Sequence, residues 1–176
     1  MHIEEFDYRY DWVGTILNSL EIGFERIRER AKEEPWFDGI WQLEYSENIF
    51  GIAFVTAQTY ILGVVENVNK IRERNGKKPK DKIEYYTDDS NPLSNGISSI
   101  LLINSIANYY KHHDEWHKWP TNITGKTLTQ VGIVDNTEFP CNVATTILLG
   151  ESMKYNLNNV LALISEWRKY ILPKYG

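Results

Sequence analysis

The sequence predicts an all-α, single-domain helical bundle of about five to seven helices. Apolar residues recur at steps of three and four over most of the chain, which is the spacing of one buried helix face. The length of 176 residues is that of one domain. Hydrophobic residues make up 42% and aromatic residues 13%, enough to fill one core. We therefore treat residues 1–176 as one helical domain with a long loop at 75–96.

The N-terminal half contains two long helical patterns. Residues 12–32 keep the helical spacing, and Pro35 ends this pattern and is also suited to opening the next helix. Residues 37–74 contain no proline and keep the same spacing. This run exceeds a typical globular helix, so it is either one helix or two that break near residues 46–51. Residues 50–65 are apolar around most of the helix, so we expect them at the centre of the bundle.

The segment 75–96 is the clearest predicted loop. Asn75 and Gly76 are typical of a helix C-cap, and the polar stretch that follows is long enough to indicate a functional or disordered segment. The most basic stretch of the chain begins just before this segment and continues into it; it consists of Lys70, Arg72, Arg74, Lys77, Lys78, Lys80 and Lys82. This basic segment is suited to tracking a phosphate backbone while Tyr85 and Tyr86 stack on bases. The alternative is a solvated loop whose lysines only aid solubility.

The pattern over residues 97–116 predicts a strong helix, with Ser94 or Asn95 as its N-cap and Pro120 beyond its end. Between residues 121 and 140 the pattern is ambiguous. It fits a short helix that Thr124 or Thr127 caps, and it also fits a small hairpin near 131–139.

Two further helices are predicted at 142–153 and 157–172, with Pro173 ending the last one.

Charge and cysteine content exclude some protein classes. The net charge of −5 argues against a protein that coats nucleic acid over its whole surface, but it allows a local basic patch. The single cysteine, Cys141, cannot form an internal disulfide. Residues 1–10 lack the features of a signal peptide, and apolar runs such as 97–107 are too short for a membrane span of about 20 residues. We therefore expect a cytoplasmic protein with no membrane partner.

The helix predicted from Ile97 carries a polar stripe. At 100° per residue, one narrow face holds Asn104, Asn108, Lys111 and Glu115, with Ser105 and His112 beside it. The rest of the helix is apolar and should be buried, so the stripe is either a satisfied internal network or a site. Ribonucleolytic attack by a 2′-hydroxyl needs a proton acceptor and donor, for which His112 is suited, and a phosphate cation, for which Lys111 is suited.

In that hypothesis Asn108 orients the phosphate or His112. Asn104, Glu115 and the lysines of the loop then contact substrate.

A metal site is the weaker alternative. His113 and His117 are four residues apart and could chelate a transition metal from one helix face. No third ligand stands at a telling spacing, so we expect no cofactor.

The string Ala107-Asn108-Tyr109-Tyr110-Lys111-His112 resembles the R-N-x-x-x-H signature of the HEPN superfamily, and the N-Y-x-K-H string is similar to that of uncharacterised bacterial HEPN-like proteins. The resemblance implies a small helical domain, a homodimer, and a role in toxin or phage-defence systems. It also implies a metal-independent endoribonuclease or RNA-binding protein with an active site between two protomers. Asn108 and His112 match the signature, whereas Ala107 takes the place of its arginine. The alternative function is that of a non-catalytic helical interaction protein of antitoxin type. A third possible function is that of a metal-dependent hydrolase.

Overall fold

The computed structural model describes residues 7–176, and its regular secondary structure over that range is entirely helical. The helices, in chain order, are α1 (Tyr8–Glu33), α2 (Gly39–Arg74), α3 (Lys82–Tyr86), α4 (Ser99–His112), α5 (Ile123–Gln130), α6 (Pro140–Leu149) and α7 (Asn158–Tyr175), with a single 3₁₀ turn at His113–Glu115. Their buried apolar side chains form one connected core. The predicted all-α helical bundle is therefore confirmed.

The central element is α2, which packs against α1, α4, α6 and α7. It runs unbroken for 36 residues, so the break considered near residues 46–51 does not occur. Gly51 instead gives α4 a close approach, since a Cβ there would lie 2.1 Å from Cδ2 of Tyr110. By length and composition alone α2 is long and apolar enough to cross a membrane, but 61% of its most apolar window is buried in the bundle. A buried core helix passes the same test.

The first turn of α2 follows Asp38, whose carboxylate accepts the backbone N–H of Ile40 and Trp41. Pro35 therefore ends the first pattern but does not open the second. The residues that precede Asp7 lie outside the described part of the chain, as does most of the segment examined for a signal peptide.

The predicted loop 75–96 is wrong in one respect, because α3 lies inside it. Asp81 and Glu84 form a reciprocal capping box at its N-terminus, which makes a helix of five residues possible. The side chains of Tyr85 and Tyr86 are fully buried. The prediction that these tyrosines stack on bases is therefore wrong, because burial of their apolar rings against the core outweighs exposure in a loop.

α4 is shorter than the predicted helix 97–116. Its N-cap is Ser98, whose hydroxyl accepts the N–H of Ile100 and Leu101, and not Ser94 or Asn95. The α-helix ends at His112, and the chain continues into the 3₁₀ turn.

Residues 121–140, for which the sequence fits a short helix or a small hairpin, contain the helix. α5 begins after Asn122, whose side chain caps it, and residues 131–139 form turns and no hairpin. α7 continues through Pro173 to Tyr175. The end of α7 is held from outside the helix, because the guanidinium of Arg72 donates to the carbonyl of Tyr175 at 3.2 Å.

Candidate functional site

The polar stripe of α4 converges on one side chain of α2, Gln58. Its Nε2 donates to Oδ1 of Asn104 at 2.8 Å and to Oδ1 of Asn108 at 2.9 Å. Its Oε1 accepts the ammonium of Lys111 at 2.8 Å. Nδ2 of Asn108 lies 3.4 Å from the hydroxyl of Thr124 in α5, within hydrogen-bond range. We call these five side chains the Gln58 network.

The Gln58 network runs from the core to the surface. Gln58 and Asn104 are about 5% and 4% exposed, Asn108 is half-buried, and Lys111 is exposed. The inner members therefore satisfy each other's polar groups, as buried amides must. Only the Lys111 end is open to a ligand.

The charge of Lys111 has no carboxylate partner within 4 Å among residues 7–176. Partial burial of the ammonium, together with the nearby charge of Lys82, lowers the pKa of Lys111. The charge of Lys82 is thus near enough to act on the Lys111 ammonium. Such an arrangement attracts a phosphate or carboxylate from solution.

His112 stands outside the Gln58 network. Its imidazole is about half exposed, and its Nδ1 lies 3.5 Å from the carboxylate of Glu115. Because α4 ends at His112, Glu115 belongs to the 3₁₀ turn and is exposed, so it does not continue the polar stripe. His112 is therefore a surface histidine next to the open end of the network.

The three loop lysines named as substrate contacts lie near the C-terminus of the chain. Lys77 donates to the backbone carbonyl of Gly176 at 3.2 Å, and Lys80 pairs with Glu84 at 2.5 Å. Lys78 is exposed. The contacts of Lys77 and Lys80 are made within the chain, and neither joins the Gln58 network. Lys82, from the same basic segment, is the one whose charge reaches Lys111.

The two histidines considered as metal ligands do not share a helix face, because the α-helix ends before them. The ring of His113 stacks on Tyr109 at 4.8 Å, and its Nδ1 lies 3.1 Å from the Tyr109 carbonyl. No group of three or more His, Cys, Asp or Glu side chains suited to a metal occurs in the described range 7–176.

Two members of the Gln58 network were missed from the sequence. Gln58 lies 46 residues before Asn104, so no local spacing connects them. The available signal was a lone amide in the apolar run Ala57-Gln58-Thr59-Tyr60-Ile61 of a helix predicted to be central. Thr124 was considered only as a helix cap.

Comparison with protein-family models, with curated proteins and with solved structures finds no match to this chain.

Proposed function

We propose that this chain is a HEPN-like helical protein that binds RNA through the surface formed by Lys111, Lys82 and His112. The observation that carries the proposal is the ammonium of Lys111, which contacts an amide oxygen and no carboxylate within the described residues. A cation held in place by a neutral group keeps its charge for a ligand. The neighbouring imidazole of His112 supplies a further donor to a phosphate oxygen.

Binding is better supported than cleavage. The arginine position of the HEPN signature is Ala107, which is fully buried and carries no charge. Asn108 already accepts from Gln58 and lies within hydrogen-bond range of Thr124, so its amide is engaged. A cleavage mechanism would have only His112 for proton transfer and Lys111 for the phosphorane charge.

The first experiment separates these two activities. Purified full-length chain is incubated with tRNA and with total RNA in the presence of a chelator, beside His112→Ala. Cleavage by the wild type that His112→Ala lacks would extend the proposal to a metal-independent ribonuclease. Equal cleavage by both proteins would exclude a catalytic role for His112.

Binding is measured on the same RNA at two salt concentrations. Lys111→Gln and Lys82→Gln should each weaken binding and reduce its salt dependence, because each removes one phosphate contact. Lys32→Gln is the matched control, since it removes one exposed charge from the end of α1. If all three variants bind equally, the proposed RNA surface is wrong.

A second candidate is a non-catalytic helical interaction protein of antitoxin type. It is favoured by the closure of the Gln58 network within one protomer, across α2, α4 and α5. If the chain is such a protein, it should bind no RNA at any salt concentration, and Asn108→Leu should cost little function.

A further inference from the structure

An open pocket lies beside α5, on the side of that helix that faces away from the core. Its volume is about 410 Å³, which is within the usual range for a small-molecule site. The segment before α5 forms one wall, and the outer residues of α5 form the other. We call it the Trp119 pocket; its lining residues are Trp119, Pro120, Thr121, Gly125, Lys126, Thr129 and Gln130.

The Trp119 pocket has a rigid wall. A Cβ at Gly125 would lie 1.8 Å from the carbonyl oxygen of Pro120, so only glycine lets this segment pack against α5. The indole N–H of Trp119 donates to the hydroxyl of Thr129 at 3.0 Å. The same ring packs edge-to-face against Trp116, with centroids 5.9 Å apart. The indole is therefore held in place before a ligand arrives, so little side-chain entropy is lost on binding.

The groups that line the pocket suit a planar ligand with a polar edge. The only donor of the Trp119 side chain is already used by Thr129, so the indole offers an apolar π surface for stacking. The side-chain amide of Gln130 makes no hydrogen bond within the described residues, because only its backbone carbonyl has a partner. This amide can both donate to and accept from the edge of a stacked ring.

The surface around the pocket is basic, although the chain as a whole is acidic. Residues 116–134 include Lys118 and Lys126 but no Asp or Glu, whereas the net charge of the chain is −5. Lys126 is exposed and forms no ion pair within the part of the chain that the structure describes. The carboxylates that precede this stretch, Asp114 and Glu115, each lie against a histidine ring. The charge therefore favours a planar ligand that carries an anionic group, as a nucleotide does.

The Trp119 pocket adjoins the Gln58 network through α5. Thr124, whose hydroxyl lies within hydrogen-bond range of Asn108, immediately precedes Gly125 of the pocket. Tyr109, the residue after Asn108, packs against Trp119 with ring centroids 6.3 Å apart. The pocket and the network thus lie on opposite sides of α5, about 10 Å apart, which is the diameter of a helix. A strand of a few nucleotides at the open end of the network can reach the pocket.

We propose that the Trp119 pocket binds one unstacked base of a single RNA strand whose phosphates lie on the proposed RNA surface. The assignment to RNA rests on the proposed function, and the pocket adds that the RNA is single-stranded, because the bases of a duplex are stacked and paired and cannot enter. The indole of Trp119 stacks on the base, the amide of Gln130 contacts the base edge, and Lys126 contacts an adjoining phosphate.

A labelled RNA of about 10 nucleotides, offered as a single strand and as a duplex of the same sequence, tests the pocket. Wild-type chain should prefer the single strand. Trp119→Leu should weaken single-strand binding by about 5- to 150-fold, the value of stacking one base, and should leave duplex binding unchanged. Trp12→Leu is the matched control, since Trp12 is a 50% exposed tryptophan of α1.

Gln130→Glu tests the pocket without removing a packed ring. Gln130 is exposed, so the substitution should not affect the fold, but the new carboxylate loses the amide donor and repels phosphate. Single-strand binding should weaken by about 5-fold or more. Gln42→Glu is the matched control on α2, and urea unfolding establishes that each variant is folded.

A free nucleotide separates the pocket from the rest of the RNA surface. Adenosine monophosphate has a base and a phosphate, so it can occupy the pocket without a strand. The indole N–H resonance of Trp119, which is the one missing from the spectrum of Trp119→Leu, should shift on titration with this nucleotide. Lys111→Gln should show the same shift, because Lys111 lies across α5 from the pocket.

A preference for the single strand that both pocket variants reduce and both controls keep supports the proposal. RNA binding that depends on Lys111 but is equal in the wild type, Trp119→Leu and Gln130→Glu would overturn the pocket and leave the RNA surface standing. A nucleotide shift without RNA binding would support the base site and overturn the RNA surface, whereas the absence of both would overturn both. Binding of a proline-rich peptide that Trp119→Leu abolishes, without a nucleotide shift, would assign the pocket to a peptide and overturn the proposal.

Discussion

Replacing Gln58 by leucine tests whether the Gln58 network holds α2 and α4 together. Leucine has a similar volume but neither donates nor accepts, so four hydrogen bonds are lost at once, the longest of them from Nε2 to the backbone carbonyl of Asn104 at 3.4 Å. Asn104 is buried, and an unsatisfied buried acceptor costs about 1–3 kcal/mol. Asn108 is half-buried, so the loss of its bond costs about 0.5–1 kcal/mol. The exposed ammonium of Lys111 regains water.

Burial of the apolar leucine side chain offsets part of this loss. We therefore expect Gln58→Leu to lower the free energy of unfolding by about 2–3 kcal/mol. Urea unfolding followed by circular dichroism measures the change. Gln42→Leu is the matched control, since Gln42 lies on the same helix and makes no side-chain hydrogen bond within the described residues.

A double-mutant cycle sharpens the test. Adding Asn104→Leu to Gln58→Leu removes the orphaned acceptor, so the double variant should be about 1–2 kcal/mol more stable than the sum of the two single effects predicts. A loss below about 0.5 kcal/mol for Gln58→Leu, or strict additivity in the cycle, would refute a role for the network in stability.

Three further predictions concern the packing and the titration of single residues. Gly51→Ala should destabilise the fold by about 1–3 kcal/mol, because the new methyl group meets the ring of Tyr110. Gly39→Ala is the control, since a Cβ there meets no neighbouring atom within 4 Å. Equal urea midpoints for the Gly51→Ala and Gly39→Ala variants would contradict this prediction. Burial raises the pKa of Glu47, although hydrogen bonds from two backbone N–H groups of α6 oppose the shift. The folded state therefore binds more protons than the unfolded state, and the free energy of unfolding falls as the pH rises above about 4.5. Glu47→Gln should remove that slope from a pH series of urea midpoints, and an unchanged slope would assign it to another group. Burial also acts to raise the pKa of Asp88, but hydrogen bonds from a lysine and two tyrosines of α7 outweigh it and hold this pKa below its usual range. Its stabilisation is therefore present above about pH 3.9 and is lost as pH falls through the folded pKa, so Asp88→Asn should lower the melting temperature at pH 7 more than at pH 2.

The helices were predictable wherever apolar spacing alone decides the structure. Buried faces of α1, α2 and α7 repeat every three to four residues, and burial then fixes the helix whatever its local propensity. The elements that were missed depend on capping. The capping box formed by Asp81 and Glu84 starts a helix inside a run of lysines. For α4 the sequence indicated Ser94 or Asn95 as the cap, whereas the folded chain uses Ser98.

Only part of the candidate site was predictable from the sequence. Helical spacing placed Asn104, Asn108 and Lys111 on one face because α4 is regular over those residues. Glu115 was assigned to that face only because α4 was extended past His112. No rule of spacing could identify Gln58, since it meets the stripe through tertiary packing of two helices.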